Sequence, residues 1–225
     1  VNSGLNVSTC HHILATLISR NYVVQGSSRG TYALGPQILT LSSAVNWQSN
    51  LPRRAEPFLD HLNRVTGEAV HLAALQGGDL VTLVKREALH ALRVDVGSIG
   101  KSAACHATAT GKSILAWLPE EEVMRILTNQ GLRAFTPNTI TKPKALLEEL
   151  RIVRENGYST DREEFQAYVI CIGAPILDHN GGVVGAISVS TPTVRANETH
   201  LDLVRREVIA ATRELSSGSA RPAVR

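Results

Sequence analysis

The chain has 225 residues, 43% of them apolar, and a formal net charge of +3. That supports an ordinary core in one large domain or two smaller ones, and no run approaches the ~18 apolar residues of a membrane span. Three cysteines, Cys10, Cys105 and Cys171, are too few and too widely spaced for a disulfide framework, which points to the cytoplasm.

The chain starts at Val1 and its one methionine is Met124, so a truncated N-terminus is expected. No charged-then-apolar leader opens it. Residues 1–50 carry Arg20 and Arg29 and no Asp or Glu, whereas the rest holds 21 basic and 20 acidic side chains. An acid-free, hydroxyl-rich segment can approach phosphates without repulsion, although a short stretch can lack acids by chance. In "GLNVSTCHHILATLISRNYVV", Asn6 is placed as an N-cap, and Cys10, Ile13, Leu14, Leu17 and Ile18 fall on one helical stripe. Ser8, Thr9, His11, His12, Thr16 and Ser19 lie off it. "YVVQ" and "TYAL" then flank the glycine-bounded loop "GSSRG" as a hairpin. The pattern is that of a winged helix-turn-helix lacking its first half, or of any helix leading into any hairpin.

Pro36 opens a linker helix over 36–50, which Leu51-Pro52 is expected to break. "RRAEPFLDHLNRVTG" resumes helically and stops at Gly67. "EAVHLAAL", "DLVTLVKRE" and "LRVDV" read as strands. Helices follow over about 108–118, 119–129 and 142–156, then the hairpin "YVICIGAPIL"/"GVVGAISVS" and a last helix over 198–216. The fold class is therefore α+β, an antiparallel sheet flanked by helices. The expected domains are a partial winged helix-turn-helix over 1–35, the linker helix, a sensor-like α+β domain over 51–217, and a disordered tail over 218–225.

One stretch, "ACHATATGKS" (residues 104–113), admits three readings. A phosphate-binding loop requires glycine five residues before Gly111-Lys112-Ser113, and His106 stands there. A catalytic Cys105-His106 pair is disfavoured because nucleophile and base usually come from separate elements. A metal site built from Cys105, His106 and His71 or His90 lacks paired ligand spacing. The third reading is a helix start whose small residues let backbone N–H groups face a carboxylate, or simply pack tightly.

Residues 157–190 resolve the choice. Gly157, Asp161, Glu164, Cys171, Ile172, Gly173, Ile176 and Asp178 follow a spacing that resembles the IclR (isocitrate lyase regulator) family of bacterial transcription factors. "GKSAACHATATGKSILAWLP" resembles that family's pocket helix, and the N-terminal helix and hairpin resemble its recognition helix and wing. The resemblance spans essentially the whole chain. It implies a winged helix-turn-helix, a linker helix pairing subunits, and a GAF-like domain binding a small carboxylate, in a homodimer or dimer of dimers on operator DNA. It calls for no metal or cofactor. Carried over residue by residue, Ala109 and Thr110 would meet the effector through backbone N–H groups, and Asp161, Cys171, Ser188 and Ser190 through side chains. Ser188 and Ser190, two apart on a strand, share a face. Ser8, Thr9, His11, His12 and Arg29 would contact DNA, with Thr16 and Arg20 nearer phosphates.

The chain departs from the family pattern at three places. His12 stands where arginine usually follows the Ser-Thr-x-His run, and Leu177 replaces an aromatic residue or histidine. Tyr168 stands where many members have glycine, to narrow the pocket, stack on an aromatic effector, or cover the sheet edge. The competing functions are a metabolite sensor that does not bind DNA and a cysteine-dependent enzyme, the latter weakened because no histidine is placed to activate a thiol.

Overall fold

A computed structural model describes residues 4–26, 28, 30–91, 100–102 and 104–218. The chain divides into two compact units, Val1–Leu51 and Pro52–Arg225. In the first, Asn6 caps α1 (Val7–Ser19), its Oδ1 accepting the Thr9 N–H at 2.8 Å. β1 (Val23–Gln25) and β2 (Tyr32–Leu34) form the expected antiparallel hairpin. Gly35 closes it against the end of α1, where a Cβ would lie 2.2 Å from the Asn21 carbonyl oxygen. Cys10, Leu14, Leu17 and Ile18 are half-buried, and Ile13, on the same stripe, is exposed.

α2 (Gln37–Thr66) is one continuous helix, with Pro52 and Pro57 inside it. The expected break at Leu51-Pro52 is therefore wrong. A helix-interior proline costs about 3 kcal/mol. Ala55, Phe58, Leu59 and Leu62 hold the 3–4 spacing across Pro57 and are fully buried, and burying each of the three larger side chains returns roughly 1.5–3 kcal/mol. Packing outweighs the forfeited hydrogen bonds. Gly67, with φ of 72°, ends α2, and Asn63 Nδ2 donates to the carbonyls of Glu68 and Glu87 at 2.8 Å.

The second unit is built on a six-stranded, wholly antiparallel sheet ordered β5-β4-β3-β8-β7-β6. Its strands are β3 (Ala69–Gln76), β4 (Asp79–Arg86), β5 (Gly100–Ser102), β6 (Ser159–Arg162), β7 (Val169–Leu177) and β8 (Val183–Pro192). Helices α3 (Ala109–Leu115), α4 (Glu120–Gln130) and α5 (Pro143–Asn156) pack on one face, over Ala73, Leu80 and Ala186. α6 (Glu198–Ser216) packs on β7 and β8 and meets the C-terminal half of α2, where His61 Nε2 lies 2.9 Å from Glu207. The α+β expectation holds, with β5 and β6 as unforeseen edge strands. The expected strand "LRVDV" lies outside the described residues, as does the tail beyond Gly218.

The start of α3 sits against the loop before it. A Cβ on Gly111 would lie 2.2 Å from the Cys105 carbonyl oxygen. Gly111→Ala is expected to cost about 2–3 kcal/mol by overpacking, read as a fall in the urea unfolding midpoint. A loss below about 0.5 kcal/mol would show that the contact relaxes freely.

Candidate functional site

Every residue of α3 is buried. Thr108 caps the helix, its Oγ1 accepting the Gly111 N–H at 3.2 Å while donating to Ala104 O at 3.0 Å. The Lys112 N–H reaches Thr108 O at 2.9 Å. The N–H groups of Ala109 and Thr110 have no acceptor among the described residues, as expected of a helix's first turn. Gly173 on β7 lets this turn approach the sheet: a Cβ there would lie 3.0 Å from the Ala109 carbonyl. Ser159 Oγ lies 2.6 Å from Ala109 O and 2.8 Å from Ser113 Oγ, fixing α3 to β6.

Strand register assembles the rest. Asp161, Cys171 and Ser190 stand directly opposite one another across β6, β7 and β8. One pair further along, Gly173 faces Ser188, Ser188 faces His71 and His71 faces Lys85. Directly paired residues point to the same side of a sheet, so these side chains share the α3 face. Cys171 Sγ donates to Ser190 Oγ at 3.2 Å. The hydroxyls of Ser188 and Thr110, on residues 5% and 6% exposed, have no partner among the described residues. All six residues expected at an effector site, Ala109, Thr110, Asp161, Cys171, Ser188 and Ser190, thus lie around the α3 start and the strands beneath it.

Asp161 Oδ1 accepts the N–H groups of Glu164 (2.7 Å) and Phe165 (3.3 Å). Burial pushes its carboxyl up to about 7; Glu164 adds to the rise, and the two amides and Lys112 oppose it. Burial, reinforced by Asp161, pushes the Cys171 thiol well above its ordinary range. Burial likewise raises Cys105 to about 12, and His106 Nε2 lies 2.9 Å from Arg133 O rather than on a thiol. Neither cysteine is a ready nucleophile. Among the described residues no three His, Cys, Asp or Glu side chains gather as a metal site.

Lys112, set aside once the phosphate-loop reading failed, is fully buried at the centre of this unit. Its Nζ donates to Glu164 Oε1 (2.6 Å), Thr160 O (2.6 Å) and Glu149 Oε1 (3.1 Å), joining α3 to β6, α5 and the β6–β7 loop. The signal was available, since Lys112 is the lone Asp, Glu, Lys or Arg between Ala104 and Leu118. From sequence, His71 is a candidate only as a metal ligand and Lys85 not at all, because only strand pairing brings them beside Ser188. Tyr168 and Glu163 adopt left-handed backbone, with φ of 65° and 58°, a conformation that suits glycine better. Tyr168 is 75% exposed, so its ring covers little of the sheet edge.

In the first unit, Ser8, His11 and His12 are exposed along α1 and Thr9 is half-buried. Ser8 Oγ donates to Asn6 Oδ1 at 3.0 Å. Arg29 lies outside the described residues.

The model of the bacterial transcriptional regulator IclR C-terminal family matches residues 44–217. The HTH-type transcriptional regulator BhcR of Paracoccus denitrificans is 37% identical over 95% of this chain and 76% of its own length. The HTH-type transcriptional regulator XynR of Escherichia coli is 34% identical over 98% and 87%. Among solved structures, the Thermotoga maritima IclR aligns with a TM-score of 0.71 at 30% identity, covering 97% of this chain and 87% of that one. The C-terminal domain of the E. coli regulator KdgR gives 0.66 at 33% identity, over 76% and 99%.

Lys112→Met leaves Glu164 buried without its cation and is expected to cost about 3–5 kcal/mol in urea unfolding. Adding Glu164→Gln should recover much of that loss. A single-variant loss under about 1 kcal/mol would remove Lys112 from its central place.

Proposed function

The chain belongs to the IclR family of bacterial transcriptional regulators, and from that premise we propose a ligand-responsive regulator that binds operator DNA under the control of a small carboxylate. Its relatives are transcriptional regulators, not enzymes. The observation that carries the ligand reading is the pair of hydroxyls of Thr110 and Ser188, on largely buried residues and without a partner among the described residues, beside the open N–H groups of the α3 start. Hydroxyls that can donate and accept, left open in a largely enclosed place, suit the oxygens of a small ligand. In this reading Ala109 and Thr110 donate backbone N–H groups to the effector carboxylate, and Ser188 and Ser190 offer hydroxyls. Cys171 lends a weak donor. Asp161 borders the carboxylate in its protonated form.

The DNA reading rests on α1, whose exposed face carries Ser8, His11 and His12, with Thr9 half-buried, and on the hairpin that follows. In this reading α1 enters the major groove and Arg29 reaches phosphate. The winged domain over 1–35, the subunit-pairing linker over 36–50, the GAF-like domain over 51–217 and a homodimer or dimer of dimers belong to the same proposal. Among the described residues no helix is long and apolar enough to cross a membrane, which fits a cytoplasmic regulator.

Two arms test the proposal. In the first, a labelled duplex from upstream of the encoding gene is titrated with the chain, with and without glyoxylate, pyruvate and hydroxybenzoates. Binding that one of these acids alters supports the regulator, and Arg29→Glu should weaken binding to every duplex alike. Carboxylate binding without duplex binding would favour a sensor alone. In the second, the responsive acid's affinity is measured against pH. An anion beside Asp161 binds best when that carboxyl is protonated, so affinity is expected to hold below pH 7. Above it, affinity should fall by up to about tenfold per unit. Ser188→Ala should weaken binding at all pH, and Asp161→Asn should flatten the profile. A parent profile already flat would remove Asp161 from the site.

A further inference from the structure

The polar row on the α3 face has an acidic end and a basic end. Asp161 on β6 and Cys171 on β7 occupy one, Ser188 and Ser190 on β8 the middle, and His71 on β3 with Lys85 on β4 the other. All but Lys85 are more than nine-tenths buried. The Lys85 side chain is 12% exposed, with its Nζ 3.0 Å from the more exposed Glu87 carboxylate. A row with a polar or ionisable side chain on each of five adjacent strands is a poor floor for an apolar ligand. It also offers more than one carboxylate requires.

Charge narrows the choice further. Asp161, Glu164 and Glu149 crowd one end, and the Lys112 ammonium there is already committed to two carboxylates and a carbonyl. Toward β3 and β4 the row presents the His71 imidazole and the Lys85 ammonium, so an acceptor-rich group finds donors there, and a hydroxyl donor finds its acceptor toward β6. Neighbouring strands lie roughly 5 Å apart, so Gly173 and His71, two strands distant, stand roughly 10 Å apart at the backbone. A ligand hydrogen-bonded at both ends of that span would carry a short carbon chain.

We propose that the effector is a hydroxy-dicarboxylate of about four carbons, with one carboxylate at the start of α3, its hydroxyl toward Asp161 and its second carboxylate held by His71. The proposal rests on the effector reading of this site and adds His71 as the specificity-determining residue. Lys85, paired with Glu87, borders that end.

Calorimetric titration of the full chain with malate and with 2-hydroxybutyrate separates the two readings. The second acid keeps the skeleton, the hydroxyl and the adjacent carboxylate but lacks the distal one. The parent should bind malate at least about tenfold more tightly. His71→Leu and His71→Gln should erase that preference while leaving 2-hydroxybutyrate binding unchanged, with melting temperatures confirming that both variants fold. Equal affinities in the parent, or a variant loss that falls equally on both acids, would overturn the dicarboxylate assignment and leave the effector cradle standing. So would binding of pyruvate alone. If the parent bound neither acid, the dicarboxylate assignment would fall, and the effector reading would fall with it only if glyoxylate, pyruvate and hydroxybenzoates also failed to bind.

Discussion

The second unit depends on a buried ammonium. Lys112 is fully enclosed, and the effective penalty of burying an ion is several kcal/mol. Three short hydrogen bonds to two carboxylates and a backbone carbonyl offset it. Because those acceptors belong to α5, β6 and the loop after β6, the interaction has a direction as well as a strength. It holds α3 at one height above the sheet, which puts Ala109 against Gly173 and the open first turn beside Ser188. Remove the cation and α3 keeps its Ser159 bonds to β6 but loses its ties to α5 and the β6–β7 loop. Thr136 Oγ1 and Thr139 Oγ1 hold the carbonyls of Glu163 and Glu164 from outside, so the loop that supplies the counter-charge is itself constrained.

That constraint explains the left-handed backbone at Glu163 and Tyr168. The segment must turn the Glu164 carboxylate inward to Lys112 and return the chain to β7 within a few residues. Asp161 Oδ1 takes the N–H groups of Glu164 and Phe165, and Glu163 Oε2 takes that of Tyr168 at 2.7 Å. A non-glycine residue in this conformation costs on the order of 1–2 kcal/mol. The surrounding hydrogen bonds fix the conformation regardless. Asp161 therefore shapes the loop and stands beside Cys171 on the α3 face at once, and its raised titration follows from burial needed for the first role.

Much of the fold was legible in the sequence. The cap at Asn6, the helical patterns over 142–156 and 198–216 and the apolar runs of the last hairpin are local signals, and they placed α1, α5, α6, β7 and β8. β6 escaped because "STDR" contains no apolar residue to alternate. The continuity of α2 escaped because proline penalties are local, whereas the burial that overcomes them is tertiary. The site divided the same way. Ser188 and Ser190 on one face followed from strand geometry, and the α3 start from its run of small residues. His71 in "AVHLAALQ" carries no mark of its own, since its meaning comes from standing opposite Ser188. Lys112 carried a misleading one, with its glycine and serine neighbours imitating a phosphate loop.

The strand order has a consequence in time as well as space. β3 sits between β4 and β8, so the first long strand of this sheet finds a neighbour more than a hundred residues later in the chain. As the chain leaves the ribosome, β3 and β4 can pair as a hairpin early, but one side of β3 stays open until β8 emerges. Sheets closed by such distant contacts fold slowly, because the entropy of a large loop is lost before the pairing is gained. The row of polar side chains under α3 is thus among the last parts of the molecule to exist. Any ligand that binds there stabilises only chains that have completed the sheet.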